Sequence, residues 1–130
     1  MKTLRAVVCR VGQPPVVEQI GSGLESFQAL VGGSIQMVPV PDENGRRSLA
    51  LYLNEEGKLI GLPPNLLWLD GTRVHDVLVG DVFIVGPADR NGDDTGLTDK
   101  QVRWVIEKLL PRVFPPVKPY PAGRGRFGVN

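Results

Sequence analysis

Apolar residues recur at every second position over residues 3–10, with Leu4, Ala6 and Val8 toward one face, which predicts a β-strand. Gly12-Gln13-Pro14-Pro15 reads as a turn and residues 16–20 as a second short strand, giving a hairpin with its prolines at the sheet edge. The period then lengthens. Leu24, Phe27, Leu30 and Val31 lie at helical spacing, Ser22 and Glu25 form a capping-box pair before them, and Gly32-Gly33 stops the helix.

Alternation returns over residues 35–40, and Asn44-Gly45 is a strong hairpin signal, answered by residues 48–53. Asn54-Glu55-Glu56-Gly57 makes a further turn, with residues 58–61 as the return strand. Leu62 is held extended by the proline after it, and Pro63 or Pro64 opens a short helical turn over residues 65–69 that Asp70-Gly71 ends. Residues 77–85 form the most apolar strand. A polar loop over 89–96 follows. Thr98 and Gln101 then make a capping box for a helix to Leu110, with Val102, Val105, Ile106 and Leu109 as its stripe and Pro111 as its stop.

These elements specify an α+β domain over residues 1–110, with a mostly antiparallel sheet of about six strands and two main helices. Residues 111–130 hold five prolines and three glycines and read as a flexible basic tail. Charge sharpens this division. Four of the 15 basic residues (Arg112, Lys118, Arg124 and Arg126) and none of the 14 acids lie in that tail, leaving residues 1–110 with 11 basic against 14 acidic side chains, a net −3. That balance suits neither a DNA mimic nor a duplex-binding domain. Cys9 is the single cysteine, as in a reducing compartment. The first ten residues lack the apolar run of a secretion signal, and no other run reaches the roughly 18 residues of a membrane span, so a soluble cytoplasmic protein is expected.

Several segments resemble, in order, a family of unknown function whose members are short proteins of bacteriophages, plasmids and other mobile elements. They are residues 30–39 (Leu-Val-Gly-Gly-Ser-Ile-Gln-Met-Val-Pro), Asn54-Glu55-Glu56-Gly57-Lys58-Leu59, Gly61-Leu62-Pro63-Pro64-Asn65, Gly80-Asp81 to Gly86, and Leu97-Thr98-Asp99. The resemblance spans residues 3–109 and implies a mobile-element origin, with the host cytoplasm as the place of action. It implies no activity and no catalytic residues.

The candidate ligand-binding residues are Asn54, Glu55, Leu62, Pro63 and Asn65. Proline preorganises this backbone, and an asparagine offers both donor and acceptor to a nucleobase or amide edge. The same residues also suffice to shape a strand-to-helix turn. Asp89, Asn91, Asp93 and Asp94 imitate a calcium loop, but Asp94 and Lys100 occupy the positions that need glycine and a bidentate glutamate. His75 is the only histidine and has no partner set for a triad or a zinc site. Trp68 and Trp104 suit stacking or packing, and Arg124 and Arg126 make a weak nucleic-acid segment. No catalytic residue, cofactor or metal ligand set is assigned.

The expected function is that of a non-enzymatic accessory protein that binds or sequesters a small, nucleotide-like ligand in host-defence conflict, with homo-oligomerisation compatible. The alternatives are a protein-interaction module that inhibits or adapts a host factor, and, last, a small hydrolase using His75 or a carboxylate.

Overall fold

Valine-rich β1 (Thr3–Cys9) pairs antiparallel with β2 (Val16–Gly21), in a register that sets Leu4 opposite Ile20 and Val8 opposite Val16. The computed structural model describes residues 2–120. After α1 (Leu24–Val31), β3 (Ile35–Val40) and β4 (Leu49–Asn54) make a second antiparallel hairpin. The two hairpins are joined by β7 (Val82–Val85), giving a five-stranded sheet in the order β2-β1-β7-β4-β3. Every residue of β4 and of β7 is buried. Strands covered on both faces lose the apolar–polar alternation, which explains their unbroken apolar runs.

One face of the sheet is covered by α1, where Phe27 packs on Tyr52 and on Phe83 with ring centroids 4.8 Å apart in each pair. The opposite face carries Val7, Cys9, Leu51 and Ile84. They are covered by a separate hairpin, β5 (Pro64–Asp70) with β6 (Arg73–Val79), and by the C-terminal helical segments. The chain is thus an α+β fold with seven strands in two antiparallel sheets among the described residues.

Four local expectations are corrected. Ser22 does not cap α1: its N–H extends the β1–β2 ladder to the carbonyl of Lys2, and Gly23 stands at the helix start with no side-chain cap. Residues 58–61 are not a strand but part of a coiled turn, closed by Ile60 N–H to Glu56 O at 3.1 Å and Leu62 N–H to Gly57 O at 2.9 Å. Residues 65–69, expected as a helical turn, lie within β5, whose pairing with β6 is interrupted by two register shifts. The apolar run 77–85 is two strands, because Gly80 at φ 76° turns the chain out of the small sheet and into the large one. Glycine is required there twice over, since a Cβ would also sit 2.7 Å from Leu62 Cδ1.

The helix predicted to stop at Pro111 runs one turn further. It begins as α2 (Asp99–Trp104), capped by the Thr98–Gln101 box, widens into a π segment (Val105–Leu109), and ends as α3 (Leu110–Val113). A proline has no N–H to offer and its ring clashes with the carbonyl four residues back; the wider π turn relieves that clash. Beyond it Phe114 is buried, with 1% of its surface exposed. Residues 115–117 then lie along β5, with Leu67 N–H donating to Pro115 O at 2.8 Å and Val117 N–H donating to Asn65 O at 2.9 Å. The first part of the expected flexible tail is therefore a strap packed on the domain. One aromatic anchor and two backbone bonds outweigh what proline content suggested, and residues 121–130, with Arg124 and Arg126, lie outside the described residues.

Phe114→Ala is accordingly expected to lower the unfolding free energy by roughly 3–5 kcal/mol, the usual loss for emptying a fully buried phenyl site. Urea denaturation reads this directly, and a change smaller than about 1 kcal/mol would mean that the strap is dispensable.

Candidate functional site

Between the tip of the β5–β6 hairpin, the end of β3 and the end of α3 lies a cavity of 380 Å³. One wall is a row of three rings. Phe114 lies 5.7 Å from Trp68, and Trp68 meets His75 edge-on at 4.7 Å. The ladder of β5 and β6 places Trp68 opposite Asp76 and His75 one position before it, so the hairpin itself brings indole and imidazole together. The opposite wall is Pro39, Val40 and Pro41 at the end of β3. That strand end is pinned from behind by Trp104, whose indole N–H donates to Pro41 O at 2.8 Å.

Two charged side chains stand at the rim, Arg47 and Asp70. Both are exposed, and neither takes part in an ion pair among the described residues. Arg47 is carried by a loop that Asp42 organises. The buried Asp42 carboxylate accepts from the N–H groups of Asn44 (2.8 Å) and Arg46 (3.0 Å) and from Ser48 Oγ (2.6 Å). These bonds, the one from Ser48 foremost, hold the carboxyl below its ordinary pKa against the opposing effect of burial. The arrangement offers an aromatic surface, an exposed cation on an organised loop and a carboxylate acceptor around one opening.

The five residues expected to bind ligand do not meet in one site. Asn54 and Glu55 line a shallow groove of 140 Å³ beside Gln36, Lys58 and Asp76, whereas Pro63 and Asn65 line a second 380 Å³ cavity walled by Val11, Pro116, Pro119 and Tyr120. Leu62 is half-buried against Gly57 and Gly80. Both asparagines make hydrogen bonds within the domain. Asn54 donates to Val31 O at 3.2 Å, one of the carbonyls left unpaired at the end of α1, and accepts from Glu56 N–H at 2.8 Å. Asn65, expected at an exposed loop, is buried, and its two amide hydrogens reach Cys9 O at 2.9 Å and Gly80 O at 2.8 Å.

The remaining candidates also find local partners. Asp89 accepts from Asn91 and Asp93 N–H groups, and Asp94 accepts from the Tyr52 hydroxyl at 2.7 Å, so two carboxylates of the aspartate loop hold the loop itself. Burial pushes the Cys9 thiol up to about 12, far from a reactive thiolate. Asp76, next to His75, is engaged by Lys58 and by the Val77 N–H. Arg47, Asp70 and Phe114 were not singled out from sequence. The only signals were that Arg47 follows an Asn-Gly turn and that Asp70 precedes a glycine; nothing in the chain order announces their convergence.

The chain belongs to the family described as Domain of unknown function (DUF3846). The match covers residues 1–110, so the Phe114 wall of the cavity lies beyond it. No curated protein and no solved structure matches this DUF3846 chain.

Two expectations follow from these bonds. Asn65→Ala should lose about 2 kcal/mol of stability through two missing hydrogen bonds to buried carbonyls, and Asn65→Asp, though isosteric, should lose more, because a carboxylate would face two acceptors. Thermal or urea unfolding of both variants tests that order. For Asp42, a depressed folded-state pKa means that its contribution to stability is present above the ordinary carboxylate value of about 4 and is lost as pH falls through the lower folded value. Asp42→Asn should therefore flatten the acid limb of the stability–pH curve, and an unchanged limb would show that the loop does not depend on the ionised form.

Proposed function

We propose that this protein is a non-enzymatic binding protein that captures a small ligand in the cavity between Trp68 and Arg47. The observation that carries this reading is a guanidinium and a carboxylate, neither in an ion pair among the described residues, lining one cavity with a row of aromatic rings. Exposed charges of this kind contribute little to the fold, and a concave aromatic wall beside them is the usual composition of a ligand site. Capture is favoured over turnover because His75 meets an indole edge, while the carboxylate beside it is engaged elsewhere. A general base needs a partner that fixes its tautomer.

The mobile-element setting implied by the resemblance fits this role. A phage-borne protein that withdraws a nucleotide-like signal from a host defence needs affinity and no turnover, and it would act in the host cytoplasm. No helix among the described residues is long and apolar enough to cross a membrane. A second reading, docking to a host protein, is favoured by Leu59 and Ile60, which are 86% and 59% exposed on the turn before β5.

Native mass spectrometry of the protein purified from its producing cells separates the two. Capture predicts a small-molecule adduct that Trp68→Ala and Arg47→Ala abolish and Leu59→Asp leaves in place. A partner protein retained by the wild type and lost on Leu59→Asp, with no adduct, would favour the docking reading instead.

A further inference from the structure

Resting on the capture reading, we propose that the ligand is a single nucleotide unit with an amino-bearing base, stacked by Trp68 and held by its phosphate at Arg47. Size sets the first limit. At 380 Å³ the cavity is near the lower end of the roughly 300–1,000 Å³ that ligand sites occupy, enough for one ring system with one anionic arm. A dinucleotide would place a second phosphate near Asp70, the other charged side chain of the lining, where repulsion opposes it.

The lining distinguishes the two ends of such a ligand. Arg47 is the cation of the lining, and a guanidinium matches phosphate oxygens with two parallel donors. The wall at the end of β3 offers acceptors rather than donors. In the β3–β4 ladder Ser34 O accepts from Glu55 N–H, so alternate residues from Ser34 face β4 and the backbone of Pro39 faces the free edge. Proline has no N–H, so at that position the strand edge shows a carbonyl alone. With the Asp70 carboxylate, this makes the base end acceptor-rich, which suits the exocyclic amines of adenine, cytosine or guanine and disfavours the carbonyl-rich edge of uracil. Trp68 supplies the stacking plane, and Phe114, next to it in the same wall, packs against the indole.

The test is titration of the full chain by calorimetry and tryptophan fluorescence with AMP, CMP, UMP, adenosine, inorganic phosphate and phenylalanine. AMP and CMP are expected to bind at least about tenfold more tightly than UMP, the ratio that one lost charge-assisted hydrogen bond produces. Arg47→Ala should weaken AMP by about tenfold or more while leaving adenosine unchanged, because only AMP carries the phosphate. Trp68→Phe should keep binding and lose the fluorescence response.

An equal loss for AMP and adenosine would reduce Arg47 to a structural role, and tighter binding of phenylalanine than of AMP would replace the nucleotide with a zwitterion; either overturns the inference. So would equal affinity for UMP. If no nucleotide binds but the purified protein still carries an adduct lost on Trp68→Ala, the ligand class is wrong and capture stands. If neither adduct nor probe is bound, both fall.

Discussion

One residue, Asn65, holds three distant segments of this chain together. The two hydrogens of its side-chain amide meet the last residue of β1 and the glycine corner between the two sheets, and its main-chain carbonyl receives the strap at Val117. All three contacts converge on one position, so the small hairpin cannot shift against the large sheet without exposing buried carbonyls. The candidate cavity inherits this constraint. Its aromatic wall is built from that hairpin and that strap, and its other wall is the end of β3, across the gap.

The cavity therefore joins elements of different permanence. Trp68 and His75 share one hairpin, and Pro39 and Pro41 sit on a strand end tied to the helix through Trp104. Arg47 is different: its place depends on the loop that Asp42 gathers by five local hydrogen bonds, counting the Asp42 N–H to Arg46 O and the Gly45 N–H to Asp42 O. Two walls are fixed by packing and the cation by a polar turn, a division that lets the charged group adjust while the stacking plane stays still.

Much of the sheet was legible from sequence because β1 and β3 follow the two-residue period, β4 answers the Asn44-Gly45 turn, and the turns carry the expected glycines and prolines. α1 and the Thr98 cap were legible for the same local reasons. What failed depended on tertiary context. The valines of 77–85 look alike on both sides of Gly80, so no pattern marks the corner. The Leu-Leu-Trp-Leu run of β5 satisfies helix and strand templates equally. Composition made residues 111–120 look unstructured, since it counts prolines and does not weigh one phenylalanine in a fitted site. Asn65 was found by its chemistry and given the wrong environment: a side chain able to satisfy a ligand's edge is equally able to satisfy the protein's own backbone. The pairing of Arg47 with Trp68 comes from segments twenty-one positions apart, and no motif spacing encodes it.

The missing N–H of Pro39 has a consequence of another kind. β3 ends the five-stranded sheet, and an open edge of alternating donors and acceptors is a template on which another chain can zip up and seed aggregates. A proline at the end of its outward row cuts the donor sequence short, so an incoming strand finds a gap where it needs a bond. The residue that leaves the cavity wall acceptor-rich thus also acts as a gatekeeper against runaway sheet growth.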